Sequence, residues 1–211
     1  MDTAFKFKYL ECLNRLQGQD YLAAIISFGA APTIKGKKPA SLLAFSGRRK
    51  NIFTLWHCYK QEICREFNLE YFELKNRAEI ATVLLYKRKM LEKYLINRNN
   101  FDFLSSLGYQ EAVTMEEKLR LLKKRFAFTC PHEVGIFLGF PVEDVKGFID
   151  NKGKGYLLAR YWKVYLNRER AELLFNIYDQ ARIDAANAVI RYSEEYNYKQ
   201  GLLPAFWPGN F

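Results

Sequence analysis

The chain has 211 residues, 49% of them apolar and 16% aromatic, with 33 Lys and Arg against 23 Asp and Glu for a formal charge of +10. Such a chain fits one domain or slightly more and can bury about two-thirds of its unfolded surface, which excludes disorder, collagen-like repeats and coiled-coil fibres. Its four scattered cysteines, Cys12, Cys58, Cys64 and Cys130, are too few for a disulfide scaffold and point to a reducing cytoplasm.

Residues 4–16 place Phe5, Tyr9, Cys12, Leu13 and Leu16 at helical spacing, with Gly18 as the stop. The apolar run at 21–31 (YLAAIISFGAA) is about half of what a membrane helix needs and is expected as a buried helix or strand. Glu11, Asp20 and the Gln17-Gly18-Gln19 run break the layout of a signal peptide there. A loop rich in Pro, Gly and Lys leads to a short buried strand at 41–45, and residues 46–50 turn the chain. Asn51 is placed to cap a helix reaching Phe67 along the stripe Ile52, Trp56, Tyr59, Ile63 and Phe67. Strands are expected at 69–75 and 81–86, then a basic amphipathic helix at 87–96.

The polar run at 97–100 is the best internal boundary, separating an α/β portion (1–98) from a helical portion (99–193) within one compact domain. Thr114 and Glu117 form a capping box opening a helix through Phe126, with Leu119, Leu122 and Phe126 inward. Cys130-Pro131-His132-Glu133 reads as a second helix start, closed by Gly139. Pro141 opens a third helix through Ile149 along Val142, Val145, Phe148 and Ile149. Residues 161–166 alternate as a strand, and 169–192 form a long helix with Leu173, Leu174, Ile177, Tyr178, Ala181, Ala185 and Ala188 inward. The tail at 194–211 is expected to pack on the surface or hang loose. The fold class is α+β: a small mixed sheet of about four strands with flanking helices and a helical subdomain, without internal repeats.

Residues 31–38 (APTIKGKK) nearly spell a phosphate-binding loop, but Ala31 stands for its first glycine and Lys38 for its metal-binding hydroxyl, which argues against nucleotide hydrolysis. Lys35, Lys37 and Lys38 precede the short strand, and Arg48, Arg49 and Lys50 follow it beside a helix N-terminus; these six cations would attract an anionic ligand. A solvated basic loop is the plainer account of them. His57, Cys58 and Cys64 share a helix but do not converge as zinc ligands, since His57 and Cys64 lie about 10.5 Å apart along it, so both cysteines are expected in the core.

Cys130 differs, because a helix start would favour its thiolate, and His132 is close by. Cys130 and His132 are therefore the candidate nucleophile or soft metal ligands, and Cys-Pro is a dipeptide type that ligates haem iron. A capping cysteine beside a surface histidine would look the same, and no triad is discernible. Residues 132–149 also carry helix-turn-helix spacing with Leu138, Phe140, Val145 and Phe148 as shared core. Glu143, Asp144 and Asp150 against Lys146 would repel phosphates, so a hairpin used for packing is expected.

The stretch Cys130-Pro-His-Glu-Val-Gly-Ile-Phe-Leu-Gly-Phe-Pro141, followed by Glu143-Asp-Val-Lys-Gly-Phe148, Asn151-Lys-Gly153 and Tyr161-Trp-Lys-Val-Tyr165, resembles a bacterial family catalogued as a domain of unknown function. Ala31-Pro-Thr-Ile-Lys-Gly36, Lys38-Pro-Ala-Ser-Leu-Leu43 and Val83-Leu-Leu-Tyr-Lys-Arg88 are similar to it as well. The resemblance implies company with flavodoxin-type proteins and with ferrous-iron or haem uptake. Two functions from different classes follow. One is a cytoplasmic protein that binds or carries haem or another anionic cofactor, with Cys130 or His132 at the metal. The other is a basic adaptor that meets nucleic acid or an acidic partner protein through residues 35–50 and the Lys87-Arg88-Lys89 face. A thiol-dependent enzyme using Cys130 is a third.

Overall fold

The computed structural model describes residues 2–48 and 50–198, the side chains of 196–198 excepted. Helix α1 (Thr3–Arg15) begins where Asp2 accepts the Phe5 amide at 2.8 Å, and α2 (Gly18–Gly29) takes up the apolar run as a buried helix. A single turn, α3 (Ala31–Ile34), leads to β1 (Ala40–Ser46). Helix α4 (Ile52–Glu66) follows, its Asn51 cap in the left-handed region at φ 47° with its side chain accepting from the Thr54 amide. Asparagine tolerates that backbone better than most residues, so one residue both turns the chain and caps the helix.

Strands β2 (Glu70–Arg77) and β3 (Ile80–Tyr86) form a hairpin across Ala78 and Glu79, both at positive φ (49° and 58°), the backbone required by a two-residue turn that matches strand twist. β3 also pairs with β1, so the order is β1-β3-β2 and every pairing is antiparallel. The α+β class holds, but the strands form two separate antiparallel ladders in place of one mixed sheet.

Alternation along β3 builds the interior. Ala81, Val83 and Leu85 enter a first core with α1, α2, α4 and the last helix, and Leu84 and Tyr86 enter a second. That second core collects α5 (Arg88–Leu95), α6 (Arg98–Leu104), α7 (Met115–Phe126), α8 (Val134–Phe137) and α9 (Val142–Asp150). The polar run at 97–100 is a helix start: Asn97 caps α6, and the buried Asn100 donates to the Tyr94 carbonyl at 2.8 Å. Residues on both sides of it share the second core. The Thr114–Glu117 capping box of α7 is present in both directions.

Helix α8 is a single turn, because His132 and Glu133 form a turn before it and Gly139, at φ 79°, ends it. Cys130 therefore caps no helix. The strand expected at 161–166 shrinks to β5 (Lys163–Val164), paired with β4 (Leu158–Ala159). Its continuation is lost because the Tyr165 and Leu166 amides donate to the Asp144 carboxylate instead of to a neighbouring strand.

The last helix, α10 (Arg168–Tyr198), runs past the expected tail boundary at 194, and residues 199–211 lie outside the described residues. It buries Phe175, Tyr178, Ala181, Ala185, Ala186, Val189 and Ile190 but turns Leu173 and Ile177 outward, 67% and 43% exposed. The small residues let α10 approach α3, where Ala181 and Ala185 meet Ala31, and that contact sets the rotation. Among the described residues, no helix is long and apolar enough to cross a membrane.

Leu84→Ala and Leu85→Ala each empty a fully buried site, on opposite faces of β3. Each is expected to cost about 3 kcal/mol, read as a lower urea midpoint with an unchanged slope.

Candidate functional site

A cleft of about 360 Å³ opens between the α8–α9 hairpin and the β4–β5 ladder. Its walls are Pro131, Val134, Val145, Phe148, Phe140 and Trp162, and its rim carries Cys130, His132, Arg160 and Lys163. Phe140 stacks on Trp162 (centroids 4.9 Å apart, planes at 27°), and Trp162 in turn meets Phe175 edge-on at 4.5 Å. Gly135 makes the hairpin tight: a Cβ there would stand 2.8 Å from Val145 and 3.1 Å from Phe140.

Asp144 sets the wall. Its buried carboxylate accepts from Trp162 Nε1 at 2.8 Å, from the Tyr165 amide at 2.7 Å and from the Leu166 amide at 3.2 Å, fixing α9 to β5 and the indole in its rotamer. Reading Asp144 as part of an exposed acidic face is thus corrected, because three N–H donors replace its water. Behind Cys130, a second buried carboxylate, Glu133, accepts from Arg125 at 3.0 Å and from the Tyr109 hydroxyl at 3.3 Å.

The structure brings Cys130 and His132 together on the cleft rim, both exposed. The thiol is not activated. Although the residue is exposed at the rim, partial desolvation of its sulfur against the cleft wall and then the nearby Glu133 carboxylate push it above its usual range, which is the opposite of what a helix start would do. His132 packs edge-on against Phe148 at 5.0 Å. Among the described residues no group of three His, Cys, Asp or Glu converges. Cys64 is buried as expected, with its thiol pushed up to about 12 by burial, whereas Cys58 is exposed because it lies off the inward stripe of α4.

The described members of the six basic residues do not converge. β1 has seven residues and, at its two ends, holds Lys35, Lys37 and Lys38 about 23 Å from Arg48 and Lys50. Lys35 pairs with Asp184. Lys37 is exposed, and Lys38 is buried with its ammonium 5.3 Å from the Phe140 ring centroid and 6.0 Å from that of Tyr178. Arg48 is exposed, Arg49 lies outside the described residues, and Lys50 donates to the Asn14 and Leu16 carbonyls. Lys87 donates to the Phe67 and Asn68 carbonyls, and Arg88 is held by Glu70, Glu92 and Glu116. Of the described members of this set, Lys38 is the one whose ammonium faces the ring of a cleft residue, Phe140.

Sequence reasoning missed Arg160 and Lys163. Arg160 pairs with Asp179 and lies over Phe175 at 5.3 Å. Lys163 donates to the Gly153 carbonyl at 2.7 Å and sits over Phe148 and Tyr156 at 5.6 and 4.9 Å, with no carboxylate partner among the described residues. The Tyr161-Trp162-Lys163 run was the available signal, since a cation next to two aromatics in a short ladder marks a site wall as readily as a strand.

A family model matches residues 26–197 of the chain. The chain belongs to that family, described as "Protein of unknown function (DUF3793)". The matched span of DUF3793 contains every cleft residue named above. No curated protein and no solved structure matches the chain.

Two outcomes test this geometry. Asp144→Asn leaves the Trp162 N–H without its acceptor and is expected to cost about 2–3 kcal/mol in urea unfolding, with a shift in tryptophan emission. Iodoacetamide labelling of Cys130, followed by peptide mass spectrometry, is expected to be slow at pH 7 and to keep rising with pH through 9, the ordinary thiol midpoint, without levelling off there.

Proposed function

We propose that this member of DUF3793 binds a small ligand with a flat apolar body and an anionic end, held in the cleft between the α8–α9 hairpin and the β4–β5 ladder. The observation that carries this is the pairing of a stacked Phe140–Trp162 wall with the rim ammonium of Lys163, which faces aromatic rings and no carboxylate. An aromatic wall offers dispersion and stacking to a planar body, and a partly desolvated cation favours a carboxylate or phosphate over water. The cleft's other charges are already committed: Asp144 to three N–H groups and Arg160 to Asp179. That leaves positive charge for an incoming anion. The volume matches the lower end of small-molecule sites.

Haem is one ligand of this chemistry, with a flat ring and two carboxylates, and Cys130 or His132 on the rim would be the residue to hold its iron. The raised thiol makes His132 the better ligand at neutral pH, because iron binds thiolate and a raised Cys130 has little of it.

The test is a titration with 1-anilinonaphthalene-8-sulfonate, an anionic aromatic probe, followed by quenching of tryptophan emission, and in parallel with haem, followed by its Soret band. Saturable binding at one equivalent is expected, weakened about ten-fold in Lys163→Met, the loss of a charge-assisted contact worth about 1.4 kcal/mol. Unsaturable binding, or equal affinity in Lys163→Met, overturns the cleft reading. A Soret shift abolished by His132→Ala assigns the haem ligand; unchanged spectra in His132→Ala and Cys130→Ala remove haem and leave the probe result to stand alone.

A further inference from the structure

A second cavity, of about 330 Å³, shares no lining residue with the cleft. Four stretches of chain meet around it: the turn at Lys37, the α5–α6 corner at Tyr94, Asn97 and Asn100, the opening of α9 at Glu143, and the first turns of α10. Along α10 it is lined by Arg170, Leu174 and Tyr178, which stand four residues apart on one stripe. Two local contacts frame it. Gly139, at φ 79°, brings its backbone so near Pro39 that a Cβ would stand 2.5 Å from the proline ring, and Asn167 accepts the Arg170 amide at 2.9 Å. A smaller cavity of about 170 Å³ adjoins it along Pro141, Glu143, Arg170 and Leu174.

Both signs of charge line this cavity, and neither is spent. Lys37, Glu143 and Arg170 are exposed at its edge, and among the described residues none of their side chains enters an ion pair or a hydrogen bond. Asn100, 4% exposed, is the buried polar member: its amide nitrogen goes to the Tyr94 carbonyl at 2.8 Å, and its amide oxygen takes no hydrogen from any described residue. Tyr94 gives its hydroxyl hydrogen to the Phe140 carbonyl at 2.9 Å, so its oxygen is left as an acceptor. Met90, Val142 and Leu174 supply apolar wall. The cavity thus offers the Arg170 guanidinium and the Lys37 ammonium to a carboxylate. To the three N–H groups of an incoming ammonium it offers the Glu143 carboxylate and the Asn100 and Tyr94 oxygens. A plain anion would meet the Glu143 charge, and a plain cation would meet two like charges. We propose that the cavity binds a small zwitterion with an apolar body, of the class of a free apolar α-amino acid or a dipeptide of such residues. Its volume lies at the small end of ligand sites, as that class requires. It shares neither charges nor walls with the cleft, so the two readings fail separately.

The experiment is isothermal titration calorimetry of the full chain with L-leucine, L-methionine, L-phenylalanine and dileucine. Isocaproate, which is leucine without its ammonium, and isoamylamine, which is leucine without its carboxylate, are the controls. Saturable binding of at least one zwitterion at one equivalent is expected, weakened about ten-fold in Arg170→Met and in Glu143→Gln and kept in Lys124→Met, an exposed lysine of α7. Arg170 and Glu143 are themselves exposed, so both variants are expected to fold, which circular dichroism checks. Absence of saturable binding by all four zwitterions overturns the proposal, as does equal affinity in either variant. Isocaproate or isoamylamine bound as tightly as leucine overturns it too, because one of the two charges is then not read. Binding that is lost in Lys163→Met and kept in the Arg170 and Glu143 variants moves the ligand to the cleft. Dileucine bound more tightly than the free amino acids assigns a peptide, and the reverse order assigns the amino acid.

Discussion

Because β3 is the middle strand and its side chains alternate, two helical layers must be fitted to a strip seven residues long, one against Ala81, Val83 and Leu85 and the other against Leu84 and Tyr86. No residue of that strip can slip by one position without exchanging the two cores. The hairpin at Ala78 and Glu79 sets the register on one side, and the unbroken seven-residue pairing with β1 sets it on the other. The one irregularity, a bulge between Glu73 and Lys75, falls on outer strand β2. There Glu73 is drawn to Trp56 Nε1 at 2.9 Å and to Lys60 at 2.7 Å.

The cleft hangs from this frame through two buried carboxylates that do mechanical work. Glu133 ties the start of α8 to α7 through Arg125, and Asp144 ties α9 to β5. Both hold the aromatic walls at fixed separation, so the cleft's shape is set by hydrogen-bond geometry and not by hydrophobic packing alone. A third, smaller cluster of Trp162, Val164, Phe175 and Tyr178 backs the wall and anchors it to α10.

What was legible in the sequence was local. Asn51 and the Thr114–Glu117 box announce their helices because the capping groups lie within three residues of the amides they serve. The three sheet strands were legible, β1 from a short apolar run and β2 from alternation, and the resemblance to a family of unknown function agrees with the family match over residues 26–197. Whatever depends on rotation about an axis or on distant partners was not. The inward face of α10 is set by α3, so Leu173 and Ile177 were assigned to the wrong side. Asp144 looked like an exposed acid, since its three donors lie 18 to 22 residues downstream. Cys130 and His132 were singled out together and do line one cleft, but the thiol's environment depends on Glu133 being buried by Arg125 and Tyr109, which no local spacing reveals. Lys38 looked like one of six surface cations; its burial depends on Phe140 and Tyr178, more than a hundred residues away.

The bond from the Ser193 hydroxyl to the Cys12 carbonyl joins positions 181 residues apart, and around it Tyr9, Cys12 and Leu13 of α1 meet Val189 and Ile190 of α10. During synthesis at 5–20 residues per second, α1 leaves the ribosome on the order of 10 s before the helix that covers it exists. Its apolar stripe must pass that interval on α2 and α4 alone or in the keeping of a chaperone. The exposure of this protein to misassembly in the cell is therefore timed by the rate of translation, with the final seam closing only when the end of α10 arrives.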